Sequence, residues 1–275
     1  MPVSKIQTEI LRLLAAHRDP ESDVAGSTPP NRDAPRYSDD IDVFHDREER
    51  VASAAQTDAT LLEEHGYGVE WTRREPAIHT LFASRDGEAT KLEWVADSDF
   101  RFFPTLKDDL FGYLLHPVDL ATNKVAAAYG RREPRDIVDL LMVHERVLSL
   151  GALVWAAADK APGFTPEGIV NEIRRVARYT KEDFARVSSE APIDAVSTMT
   201  RFWELLADAD SFIRRMPTDK VGLLFLKDGN AVQPEPEHLE SYQTHRGQRR
   251  GHWPSNSEIS SAMLERHRKL PSSQD

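Results

Sequence analysis

Apolar and polar positions change period several times along this chain, and each change marks an element. Between Ser4 and His17, Ile6, Ile10, Leu11, Leu13 and Leu14 recur at helical spacing behind a serine suited to capping, which predicts a helix over 4–17. Val24 and Ala25 are a short apolar pair running into Gly26 and Ser27, read as a strand that ends in a turn. From Asp40 to Phe44 the order is charged, apolar, charged, apolar, apolar, a strand pattern with one acidic face. Helical spacing returns over 47–65, with Val51, Ala54, Leu61 and Leu62 on the inner side and Gly66 as the stop. Strands follow at 68–72, 78–83 and 89–95, the last two joined through Asp86 and Gly87, a hairpin pair. A short strand at 114–116 runs into Pro117, which suits the first turn of a helix.

Beyond that point the period is helical: 118–129 stopped by Gly130, 134–148 opened by Pro134, then 152–160, 166–179, 181–188 and 193–216. A strand over 221–226 leads into a turn at Asp228 and Gly229. From Gln233 onward Pro, Glu, Ser, Gln, His and Arg dominate, which predicts a flexible tail with one short helix over 259–269. The pattern therefore predicts an α/β (α+β) chain. Residues 1–116 carry a small mixed sheet with helices, 117–232 are helical, and 233–275 are a polar tail.

Composition narrows the function classes. With 40% hydrophobic and 29% charged residues, the 275-residue chain reads as a soluble globular protein. It has no run long enough to span a membrane and no apolar leader near Met1, so a cytoplasmic location without membrane partners is expected. Cysteine is absent, which excludes disulfides, Cys-based zinc sites and thiol catalysis. A net charge of −11 argues against nucleic acid being gripped over the whole surface, though not against a local basic patch. Residues 171–181, with Arg174, Arg175, Arg178, Lys181 and Tyr179, and residues 245–253 can each be read as such a patch or as solvated polar surface.

The candidate chemistry starts at Asp40 and Asp42. In a strand they point the same way, roughly 6–7 Å apart, while Ile41 points into a core. Paired carboxylates repel unless a cation joins them, and hard oxygen ligands suit Mg²⁺. Taken alone, a run such as Ser38, Asp39 and Asp40 is more often a turn or a helix cap than a metal site. Upstream, with the twelve residues Thr28 to Asp39 between them and Asp40, Gly26 and Ser27 offer backbone N–H groups and a hydroxyl that can cradle phosphate oxygens. Pro29, Pro30 and Pro35 make the intervening stretch a loop. On the strand over 89–95, Lys91, Glu93 and Val95 share a face. Glu93 is either a third metal ligand or simply the exposed half of an alternating strand. Lys124 and Arg131, seven apart, would share a helical face only if the helix ran past Gly130, while Arg132 with Asp136 and Arg135 with Asp139 have the spacing of ordinary ion pairs.

Two ordered blocks carry a resemblance. Gly26 and Ser27, followed by Arg36, Tyr37, Ser38, Asp39, Asp40, Ile41, Asp42, Val43, Phe44, His45 and Asp46, resemble the polymerase-β-like nucleotidyltransferase superfamily. Within it they look closest to the AbiEii/AbiGii-type toxin nucleotidyltransferases. Asp119, Leu120, Ala121, Thr122, Asn123 and Lys124, with Arg131, Arg135, Asp136 and Asp139, are similar to the downstream helical motif of that family. The resemblance implies transfer of an NMP from an NTP to an acceptor hydroxyl, on an RNA or tRNA 3′ end or on protein. It implies two Mg²⁺ ions on Asp40, Asp42 and Glu93, with Asp97 as the substitute for Glu93. It places phosphate on Gly26, Ser27, Lys124 and Arg131, with Asp136 holding or orienting Lys124, and it implies a toxin neutralised by a cognate antitoxin. The alternative is a catalytically weak nucleotide-binding regulatory or partner-binding module.

Overall fold

The computed structural model describes residues 3–26, 29, 36–161 and 163–249. Ser27, the loop residues 28 and 30–35, and the helix expected over 259–269 lie outside them. The chain divides into two compact units. The first comprises Met1–Asp99, Pro104–His116 and Ser188–Ala191, and the second Phe100–Phe103, Pro117–Val187 and Pro192–Asp275.

The first unit is built on strands β1 (Ser22–Ala25), β2 (Asp40–His45), β3 (Gly68–Glu75), β4 (Ile78–Arg85), β5 (Glu88–Ala96), β6 (Leu106–Asp108) and β7 (Gly112–Leu114), with helices α1 (Lys5–Leu14) and α2 (Glu48–Glu64). Its described strands form one seven-stranded sheet in the order β3-β4-β5-β2-β1-β7-β6. The pairs β2–β5 and β1–β7 are parallel and the rest antiparallel, so the sheet is mixed. Asp86 and Gly87 both take positive φ, 54° and 83°, the backbone that a two-residue hairpin turn requires. Strands β3 to β5 extend past the expected bounds because cross-strand pairing continues into polar residues such as Arg73, Arg74 and Arg85.

One face of this sheet is covered by the two helices. Ile41, Val43, Leu81, Leu92 and Trp94 pack against Ile10, Leu11 and Leu14 of α1 and Val51, Ala55 and Leu62 of α2. Ser4 caps α1 reciprocally with Gln7, as the spacing predicts. Gln7 also reaches inward, where its buried amide nitrogen donates to the Ser38 carbonyl at 3.0 Å and to Thr90 Oγ1 at 3.2 Å. The cap thereby holds the entry to β2 against β5.

A charged network lies inside the same unit. Asp58, fully buried on α2, accepts hydrogen bonds from Arg18 and, at 2.8 Å, from the Trp94 indole, and its other oxygen meets His17 Nδ1 at 2.8 Å. His45 is buried too, and neither ring nitrogen meets a hydrogen-bond partner among the described residues. Burial, with the charges of Arg18 and Arg50, lowers its pKa to about 4.

The second unit contains α3 (Pro117–Gly130), α4 (Pro134–Arg146), α5 (Leu150–Ala157), α6 (Pro166–Val176), α7 (Lys181–Phe184) and α8 (Ala195–Arg215), then strands β8 (Leu223–Lys227), β9 (Asn230–Val232) and β10 (Gln243–Arg246). Every residue of α5 is buried, which fits its unbroken apolar run, and it packs against α3, α6 and α8. Asp119 at the start of α3 accepts the backbone N–H groups of Phe102 and Phe103, which explains why that aromatic pair belongs to this unit.

Two expectations are corrected. The helix expected over 181–188 stops at Phe184, because residues 188 and 189 pair with the backbone of Tyr37 and Arg36 instead. The stretch from 233 was expected to be a flexible tail, yet β10 pairs antiparallel with β8. His245 is buried from that strand, stacks on Phe103 with ring centroids 4.8 Å apart, and bonds the Phe102 carbonyl at 2.5 Å. An edge strand that buries one side chain needs no apolar run, so composition concealed it.

Candidate functional site

Alternation along β2 sends Ile41, Val43 and His45 into the core and leaves Asp40 and Asp42 on the opposite face. The parallel pairing of β2 with β5 sets Asp40 beside Lys91 and Asp42 beside Glu93. One carboxylate oxygen from each of Asp40, Asp42 and Glu93 lies within 4.8 Å of the others. Among the acids weighed in the sequence, the cluster therefore takes Glu93 rather than Asp97. Glu93 is further placed by β4, whose Thr80 lies opposite it and brings Oγ1 to 3.5 Å.

Gly26 closes one side of this cluster. It follows β1, whose Ala25 pairs with Asp42, and it takes a positive φ of 65°. A Cβ on this residue would stand 1.7 Å from Asp42 Oδ2 and 2.6 Å from Cγ. Only glycine lets the turn approach the carboxylate this closely. Sequence reasoning assigned Gly26 a phosphate role; its steric relation to Asp42 could not be seen there.

Sequence reasoning also put Lys91 on the acidic face without assigning it a role. Its ammonium lies 3.0 Å from Asp40 Oδ2 and 3.2 Å from Glu93 Oε1. Partial burial alone would lower the Lys91 pKa, but the hydrogen bond to Asp40 and the charges of Asp40 and Glu93 outweigh it and the pKa is raised. The cluster is thus arranged around positive charge. Three convergent carboxylates, a lysine drawn between two of them and a glycine cradle fit a divalent cation of the oxygen-ligand class.

The remaining expected residues belong to the second unit. Lys124 on α3 is buried and its ammonium meets Asp139 of α4 at 2.8 Å. Asp136 is buried and accepts two bonds from Arg131, at 2.9 and 2.8 Å, which raise the arginine pKa. Asp136 thus takes Arg131, and Asp139 takes Lys124. In the stretch 171–181, Arg174 pairs with Asp210 and Arg175 with Glu172 at 2.8 Å. Tyr179 packs edge-on against Phe184 at 6.0 Å. Much of that charge is neutralised by nearby acids, as on a solvated helix face. Among the described residues no helix is long and apolar enough to cross a membrane.

No protein-family model matches the chain, and no curated protein does. Solved structures resemble it. MenT4, a nucleotidyltransferase toxin from Mycobacterium tuberculosis, aligns with a TM-score of 0.52 at 15% identity, covering 78% of this chain and 84% of that one. An H. pylori protein assigned as a nucleotidyltransferase aligns with a TM-score of 0.47 at 13% identity, covering 75% of this chain and 92% of that one. The first likeness carries the assignment of fold: the chain shares the fold of that structure, a mixed sheet with packed helices.

Proposed function

We propose that this protein is a metal-dependent nucleotidyltransferase of the AbiEii type, moving an NMP from an NTP to an acceptor hydroxyl and releasing pyrophosphate. The observation that carries the reading is the convergence of Asp40, Asp42 and Glu93 on one sheet face, with Gly26 shaped against Asp42. The fold it shares with a nucleotidyltransferase toxin adds support and is the reason to assign a toxin role, with a cognate antitoxin as partner. An RNA 3′ end, as in a tRNA, is the assigned acceptor class, with protein the other outcome of the test.

In this reading the acceptor oxygen forms a bond to the α-phosphorus while the bond from that phosphorus to the bridging oxygen breaks. Pyrophosphate leaves with the electron pair, and the hydroxyl proton is lost to solvent. Mg²⁺ held by Asp40, Asp42 and Glu93 would supply Lewis-acid stabilisation of the phosphate charge. The protein's own part is positioning. Rigid strands β2 and β5 fix the three carboxylates, and the Gly26 turn offers backbone to phosphate oxygens. The resemblance assigns Lys124 and Arg131 to phosphate and Asp136 to orienting; within the second unit these side chains are held in the Lys124–Asp139 and Arg131–Asp136 pairs.

The test is incubation with each labelled NTP, Mg²⁺ and either total tRNA or a protein extract. The expected outcome is label in one fraction together with pyrophosphate, both abolished by Asp40→Asn and by Asp42→Asn. Transfer that survives in either variant refutes the mechanism. Saturable NTP binding without pyrophosphate release in the unaltered protein favours the regulatory binding module instead.

A further inference from the structure

We infer that Lys91 is a built-in counter-ion of the acidic cluster, which competes with the metal for Asp40 and Glu93 and so sets how tightly the ion is held. The inference rests on the metal reading of Asp40, Asp42 and Glu93, and its test is independent of whether any nucleotide is transferred.

The register makes the arrangement unavoidable. Lys91 lies opposite Asp40 across the parallel β2–β5 pair and two residues before Glu93 on β5, so all three side chains leave the same face. The ammonium contacts one oxygen of each acid, at 3.0 and 3.2 Å. Asp40 is buried, and Glu93 has only a quarter of its side chain exposed. Two such carboxylates converging without a cation would repel strongly in a partly desolvated site. The lysine removes that cost when no metal is present. The same two carboxylates are the ones a metal needs, since each of them contributes to the cluster. One ammonium and one divalent ion therefore contend for Asp40 and Glu93.

Two consequences separate this role from that of an ordinary surface pair. Removing the ammonium should tighten metal binding, because the ion no longer has to displace it. It should also destabilise the metal-free protein while leaving the metal-loaded protein little changed. An incidental ion pair at a half-exposed lysine would do neither.

The experiment compares the unaltered protein with Lys91→Met and Lys91→Arg by calorimetric titration and by Mn²⁺ electron paramagnetic resonance, without nucleotide. Thermal melts at zero and saturating Mg²⁺ accompany them. Methionine keeps the stem and removes the charge; arginine keeps the charge. The expected result is about tenfold tighter Mn²⁺ binding in Lys91→Met, in line with the loss of two partly exposed ion pairs. Its metal-free melting temperature should be lower and its metal-induced rise larger, while Lys91→Arg stays near the unaltered protein. Equal or weaker metal affinity in Lys91→Met overturns the inference, even where pyrophosphate release is intact. Absence of metal binding in all three proteins overturns it together with the metal reading.

Discussion

Gly26→Ala tests the geometry of the site most directly. The added Cβ would meet Asp42 Oδ2 at 1.7 Å, Cγ at 2.6 Å and Cβ at 2.9 Å. Ordinary non-bonded contact lies near 3.5 Å, so the carboxylate would have to retreat by about 1.8 Å or the turn move off by as much. Displacement of a reacting or ligating group by about 1 Å costs on the order of 100-fold in rate. Alanine at a φ of 65° also carries a backbone penalty of about 1–2 kcal/mol. Gly87→Ala isolates that second effect, since Gly87 has φ 83° and nothing within 4 Å of its ideal Cβ. Gly87→Ala should lose about 1–2 kcal/mol in denaturant unfolding, and Gly26→Ala at least as much. Only Gly26→Ala should weaken Mn²⁺ binding and cut pyrophosphate release about 100-fold. If Gly26→Ala binds Mn²⁺ as well as Gly87→Ala does, Asp42 is not a ligand held against this turn.

Two further outcomes follow from the interior of the first unit. Asp58→Ala leaves Arg18 buried without its carboxylate and should cost about 3–5 kcal/mol in urea unfolding. The apolar pair Arg18→Met with Asp58→Leu should recover most of that loss, and a double variant no better than the single would contradict the buried-charge account. His45 gives a pH signature. Its folded pKa of about 4 lies below the ordinary 6.5, so the folded state binds fewer protons in that window. Stability should therefore fall as pH drops from about 6.5 to 4, by up to about 3 kcal/mol from this group, and level off below 4. His45→Leu should flatten the wild-type slope across that window, and an unchanged slope in the variant would refute the assignment to His45.

The local periods of this chain are strong enough to be read without a structure. Charged-apolar alternation at Asp40, Ile41 and Asp42 is a two-residue rule, so the shared face of the two acids was legible, as were the turn at Asp86 and Gly87 and the cap at Ser4. The sequence also held the candidacy of Glu93, because alternation along β5 sets it on one face with Lys91. What it could not hold is which strands become neighbours and in what register. That choice depends on the whole buried set, since α2, β3 and β4 separate β2 from β5 along the chain. Register alone put Asp42 beside Glu93, seated the Lys91 ammonium between two acids, and pressed Gly26 against Asp42. The same nonlocal choice drew β10 onto β8 and gathered Arg18, His17 and Trp94 around Asp58. Residue types and periods determined which groups could face one another; long-range pairing, driven by burial of the opposite face, decided which of them did.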